Sequence, residues 1–369
     1  MPSAAPDARL RETLSQPNPG SGGGMTSLSH DGNLLRAPAP EDRITLDPAF
    51  GTRFMLFVDT EEEFDWNAPF RRTGHGVTAL EGMERGQAYF AAAGIKPIYV
   101  TDYPVVDSDA AAEMMGRWLA DGAADVGAHL HPWVNPPHIE EVTAANSYVG
   151  FLPEAVERAK LEALCLRLAE RFGARPIVYR AGRYGVGRHS ARLLEEAGFR
   201  IDSSVRSRFD YSGQYGPDFQ GLPQYPYWAG PGRSLVELPL STAFAGLLRR
   251  GGERLYRLAQ GAGPLSGALA RTGMLSRIPL TPEGISAKEA IAAIDALIEE
   301  GSPVLNFSFH SPTLEPGHTP YVRNEGDRTA FYRWWDAVLD HLDRRNVRPA
   351  TLDVFLKAVP ERGQACQVA

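Results

Sequence analysis

Cysteine is nearly missing from this chain. Its 369 residues include 2 cysteines, Cys165 in a helix-like stretch and Cys366 near the end, which excludes a disulfide framework and a thiolate-built zinc site. Long apolar runs are missing as well: nothing approaches the roughly 18 consecutive apolar residues of a membrane-spanning helix. No basic segment followed by an apolar run opens the chain. Together these absences predict a cytoplasmic protein. Positive charge is the minority sign, with 38 Lys and Arg against 45 Asp and Glu and a formal net charge of -7, which argues against a nucleic-acid partner. The first apolar run is followed by no Gly-rich fingerprint, which weakens an open dinucleotide-binding sheet.

Glycine, serine and proline do crowd residues 1–45, with PNPGSGGG at 17–24 and no hydrophobic period, so this segment reads as disordered. Met25 follows the glycine run and is a candidate start. From residue 52 the pattern becomes regular. TRFMLFVDT, IKPIYVT, ADVGAHLH, RPIVYR, the stretch around Phe199 to Ser203, SLVELPL and SPVLNFSF read as strands. Helical patterns lie between them or after them, at about 82–93, 108–121, 153–172, 188–197, 286–300 and 325–344. Sustained alternation of strand and helix implies parallel strands with helices outside. About seven such units over 46–360 predict an α/β domain built as a distorted (β/α)7-type barrel.

One segment breaks the alternation. Residues 244–279 carry Arg249, Arg250, Arg254, Arg257, Arg271 and Arg277 against the single acid Glu253. They read either as a helical hairpin with a solvated arginine face or as a basic interfacial element. The second would make the protein membrane-peripheral, in contact with anionic lipid or a lipid-linked substrate.

In parallel α/β folds, chemistry gathers at the C-terminal ends of strands. The first strand here ends in VDTEEEFDW, the third at His129 and His131 in DVGAHLHPWVNPPH, the fourth at Arg180, the fifth at Asp202 and a late one at His310. Asp59 and Glu61 are two apart and share a face of extended backbone, as do His129 and His131. One carboxylate with two imidazoles and open positions is the composition of a hydrolytic metal centre. His138, beyond two prolines, reads as a bystander or groove wall. His310 suits acid-base work, Asp202 could orient it, and Arg180 could hold Asp59 ionised through a paired contact.

The order of these motifs resembles the NodB-homology polysaccharide deacetylases, whose fold is a distorted barrel of about seven strands. The likeness rests on five short segments between residue 54 and about 317: FVDTEEEF, DVGAHLHPW, YRAGRYG, IDSSV and LNFSFHS. It implies Asp59 as catalytic base, with Glu61, His129 and His131 holding a divalent metal ion, zinc by expectation. Arg180 then holds the base, Asp202 partners the catalytic histidine and His310 is the general acid. The family spaces its two histidines four apart; here Trp133 stands at the second position and His131 substitutes.

The resemblance further implies hydrolysis of an N-acyl group, usually acetyl, from an amino sugar in a glycan or a lipid- or nucleotide-linked saccharide. Tyr184, Leu305, Trp66, Trp133 and Trp228 would face that substrate. Two other readings stay open: a metal-free glycoside hydrolase using Asp59 and Glu62, and a catalytically silent barrel that binds a saccharide or a partner.

Overall fold

The structure, a computed structural model, describes residues 32–65, 68–261 and 274–361. Eleven strands appear among them: β1 Arg53–Thr60, β2 Ile98–Thr101, β3 Asp125–Leu130, β4 Val178–Ala181, β5 Ile201–Asp202, β6 Tyr227–Ala229, β7 Leu235–Glu237, β8 Thr242–Ala245, β9 Ser276–Pro279, β10 Val304–His310 and β11 Arg348–Pro349. The main sheet runs β10-β1-β2-β3-β4-β5-β7-β6, with β11 beside the start of β1. Every pairing from β10 to β7 is parallel, and β6 closes the order antiparallel to β7. The seven parallel strands curl into a half-barrel flanked by helices, the distorted (β/α) barrel that the alternation predicts. Where β7 and β10 would meet, loop backbone bridges the gap: Ser241 N–H donates to Asn306 O at 3.4 Å, and Ser308 N–H to Leu280 O at 3.1 Å.

Strand parity sorts the core. Met55, Phe57, Ile98, Val100, Val178, Ile201 and Val236 form one buried cluster inside the curl. The alternate residues Phe54, Leu56, Val58, Leu305, Phe307 and Phe309 pack outward against the helices Leu80–Ala92, Ala287–Glu299 and Glu325–Arg344. Asp59, Arg180 and His310 continue the inward rows beyond the apolar filling, so the same alternation that builds the core delivers them to one mouth.

Two expectations about the chain's organisation meet the structure. Of the segment read as disordered, the described part packs: Leu34 is fully buried, Ile44 N–H donates to Pro226 O at 3.0 Å, and Arg233 reaches buried Asp42 at 2.7 Å. Its leucine and isoleucine are too sparse to show a period yet plug gaps at the barrel's rim. The basic segment does contain a helix, Gly252–Gly261, but its two ends pair with each other as β8 and β9, a hairpin that its arginine-rich composition hid. Residue 271 lies outside the described residues. No helix among the described residues is long and apolar enough to cross a membrane.

Candidate active site and metal centre

The inward rows end at a cavity of about 350 Å³ lined on its inner side by Asp59, Glu61, His129, His131 and His310. Strand pairing sets these neighbours. Asp59 lies in register with His310 across β1 and β10, and His129 with Arg180 across β3 and β4.

Glu61, His129 and His131 form a group whose ligand atoms lie within 4.8 Å of one another, all buried. His129 Nδ1 faces Arg180 O at 3.0 Å, and His131 Nδ1 faces the Glu62 carboxylate at 2.8 Å. Both Nδ1 atoms must therefore donate, and each neutral ring is left with its lone pair on Nε2. Those two Nε2 atoms stand 3.7 and 3.4 Å from the same Glu61 oxygen. Burial pushes both imidazoles below their usual range, His131 down to about 4, so they are neutral at pH 7. Burial pushes the Glu61 carboxyl up to about 7; wherever it is ionised, acceptor faces acceptor in a buried site, and Glu61 Oε1 has no hydrogen-bond partner at all. A cation resolves this. The separations match the edge of a tetrahedron about 3.4 Å long, which follows from ligand distances of about 2.1 Å around zinc. These residues fit a divalent metal, and the carboxylate or carbonyl behind each imidazole is the support that metal-binding histidines ordinarily have.

Trp133 stands beside this centre, not in the cavity. Its ring stacks on His131 at 4.3 Å between centroids, and its Nε1–H donates to Glu62 Oε1 at 2.8 Å. Glu62 is fully buried, with one oxygen on His131 and the other on Trp133, and its N–H donates to Asp102 Oδ2 at 2.7 Å. The glutamate that was a candidate glycosidase carboxylate therefore orients a histidine. The tryptophan expected to face substrate is a buried brace, 2% exposed and covered by Phe64 and Phe70. Gly182 completes the fit, because a Cβ there would come within 2.1 Å of His131 Cδ2.

Across the cavity, Arg180 is fully buried and donates to Asp59 Oδ1 at 2.5 Å, to Ser203 O at 2.7 Å and to Ser203 Oγ at 2.9 Å. Burial alone would raise the Asp59 pKa, but the Arg180 guanidinium, with protonated His310, outweighs it and holds the carboxyl below its usual range. His310 Nε2 lies 4.0 Å from Asp59 Oδ2.

The partner of His310 is Glu283, not Asp202. Glu283 accepts from His310 Nδ1 at 2.7 Å, from the His310 N–H at 3.0 Å and from Thr313 Oγ1 at 2.6 Å. Burial depresses the imidazole, yet Glu283 first, then Glu61 and Asp59, lift its pKa to about 10. Asp202 is in register with Tyr179 and Glu237, whose row points outward from the curl, and its Oδ1 accepts from Ser204 Oγ. A one-residue difference in parity puts it on the wrong face.

Leu305 also belongs to the outward row and is fully buried in the outer core, away from the cavity. Trp228 packs against the inner apolar cluster, and His138 is not in the cavity lining. Trp66 lies outside the described residues. Tyr184 does line the cavity, with Tyr148, Arg183, Arg206, Tyr211 and Tyr321 among the outer residues.

No family model and no curated protein sequence matches the chain. Among solved structures, it is similar to a probable polysaccharide deacetylase from Pseudomonas aeruginosa PAO1, at 17% identity and TM-score 0.43, covering 84% of this chain and 91% of that one. A peptidoglycan N-acetylglucosamine deacetylase is matched at 12% identity and TM-score 0.41, over 84% of this chain and 90% of that one. A 4-alpha-glucanotransferase from Thermococcus litoralis is matched at 12% identity and TM-score 0.49, over 84% of this chain but 41% of that one. Deacetylases and a glucanotransferase thus share this level of likeness, and the chemistry has to be read from the side chains.

Proposed function

We propose that this protein is a metal-dependent hydrolase that removes an N-acyl group, by expectation acetyl, from an amino sugar. The observation that carries the proposal is the convergence of two imidazole lone pairs and one buried carboxylate on a single point, facing the Asp59–Arg180 pair and His310 across one cavity. Glu61, His129 and His131 would hold the ion, zinc by expectation, which when bound polarises the amide carbonyl and acidifies water.

The remaining steps fall to the chain's own groups. Asp59, held ionised by Arg180, takes a proton from the attacking water as its oxygen adds to the amide carbon. A backbone N–H near Tyr184 would receive the oxyanion of the tetrahedral adduct. His310, kept protonated by Glu283, gives its proton to the departing nitrogen as the C–N bond breaks, leaving a free amine and a carboxylate.

We also propose a cytoplasmic setting, in which the substrate would be a lipid- or nucleotide-linked saccharide. Support for a lipid-facing role comes from the basic segment, where Leu247 and Leu258 are 84% and 73% exposed among Arg249, Arg250, Arg254 and Arg257.

The test is acetate release from N-acetylated sugars by protein whose divalent metal has been quantified. Turnover that disappears in Asp59→Asn while metal is retained supports the assignment. Undiminished turnover in that variant sinks it.

A further inference from the structure

The outer wall of the active-site cavity holds two guanidinium groups, Arg183 and Arg206, that form no direct ion pair with a carboxylate among the described residues. Many arginines elsewhere on this molecule meet carboxylates: Arg158 meets Glu196, Arg192 meets Glu154, Arg208 meets Glu300 and Arg249 meets Glu299. Arg183 and Arg206 do not; among the described residues neither has a carboxylate within ion-pair distance. Arg183 donates to the neutral groups Ser147 Oγ and Gln214 Oε1. Arg206 donates from Nη1 to Tyr211 Oη at 2.9 Å, and its Nε is buried with no acceptor.

The carboxylates sharing this cavity are already engaged. Asp59 is held by Arg180, Glu283 by His310 and Thr313, and Glu61 belongs to the metal group.

Both guanidiniums are also held in place. Arg183 lies over the ring of Tyr148 at 4.1 Å and that of Phe70 at 5.0 Å. Arg206 lies over Phe209 at 4.1 Å and Tyr184 at 5.1 Å. Arg277 contacts Phe209 in turn, at 3.7 Å, and donates to Arg208 O at 2.8 Å, so strand β9 of the basic segment braces this wall. Stacking fixes a guanidinium plane while leaving its N–H edge available for a planar or tetrahedral anion.

We infer that the substrate carries an anionic group, a phosphate ester or a carboxylate, which sits on the wall formed by Arg183 and Arg206 while its amide reaches the inner residues. The inference rests on the hydrolase reading only for the word amide; the anion site stands on its own geometry.

The test measures binding by calorimetry to the full-length, metal-loaded protein, using N-acetylglucosamine 6-phosphate, N-acetylglucosaminuronic acid and neutral N-acetylglucosamine. At least one charged sugar should bind tenfold or more tightly than the neutral one, and comparison of the two charged sugars separates phosphate from carboxylate. Arg206→Gln and, independently, Arg183→Gln should each shrink that preference several-fold, and Arg206→Lys should restore part of it. Metal content and melting temperature report whether each variant is folded. Charged and neutral sugars binding within twofold, no binding of either charged sugar, or a preference that survives in both glutamine variants would overturn the inference. Acetate release is followed in parallel. Anion preference without release from any sugar would overturn the hydrolase reading alone, and release without anion preference would overturn this inference alone.

Discussion

Glu62 shows how a side chain outside the cavity can govern what happens inside it. Its two oxygens receive His131 Nδ1–H and Trp133 Nε1–H, each at 2.8 Å. In Glu62→Gln one of those oxygens becomes an NH₂ facing a donor, so either the histidine or the tryptophan loses its acceptor. Second-layer partners of this kind are worth about 10–100-fold in metal affinity, and a loss of that size, measured by competition with a chelating dye, is expected here. Affinity unchanged within twofold would show that His131 is not a ligand.

Glu283→Gln tests the other wall. Its carboxylate is the leading cause of the raised His310 pKa of about 10. A general acid works only while protonated, so activity should fall as pH rises through that value, and removing the negative charge should move the alkaline limb of the pH–rate profile toward neutrality. The limb staying in place would return the partner's role to another group. The sequence pointed to Asp59, Glu61, both histidines, Arg180 and His310 because strand ends and strand parity are local properties. It could not point to Glu283, a lone acid in a turn after β9, since only the folding of that turn brings it to His310.

At the scale of elements, the loop that carries His131 is tied down by a helix. Lys160, on the helix Glu154–Phe172, is fully buried and donates from Nζ to Pro132 O at 2.9 Å, Asn135 O at 2.6 Å and Pro137 O at 2.9 Å, with Glu140 Oε2 at 3.0 Å. Three carbonyls and one carboxylate supply the acceptors that a buried ammonium needs. Lys160→Met should cost about 3–5 kcal/mol, the usual result of leaving one member of a buried ion pair alone. Denaturant unfolding would measure it, and a change under 1 kcal/mol would mean that the loop stands without the clamp.

Nothing in the sequence marks Lys160, because a lysine in an amphipathic helix normally reads as solvated. The helices themselves were legible: the expected 153–172 and 325–344 are observed as Glu154–Phe172 and Glu325–Arg344. Apolar periodicity decides whether a helix exists, while burial of a single polar group is decided by the loop packed against it.

For the molecule as a whole, charge and exposed apolar surface pull in different directions. The net charge of -7 repels an anionic bilayer, but that repulsion is screened over about 10 Å at 0.1 M salt. Within that distance only local charge matters, and around the helix Gly252–Gly261 it is set by Arg249, Arg250, Arg254 and Arg257 against Glu253, Glu299 and Glu300. Each arginine near an anionic surface contributes about 1 kcal/mol. The exposed Leu247 and Leu258 would add insertion energy that neutral lipid can also supply. Arg249 and Arg257 are partly neutralised by Glu299 and Glu253, so the attraction is smaller than the count of arginines implies. The protein should therefore sediment with phosphatidylserine-containing vesicles at low ionic strength, sediment poorly with phosphatidylcholine alone, and be released as salt rises. Leu258→Asp should weaken vesicle binding several-fold without altering metal content, since that side chain is far from Glu61 and the two histidines in both sequence and element. Equal sedimentation of that variant, or none of the wild-type protein at low salt, would leave the hairpin as a brace for Phe209 and the cavity's arginine wall.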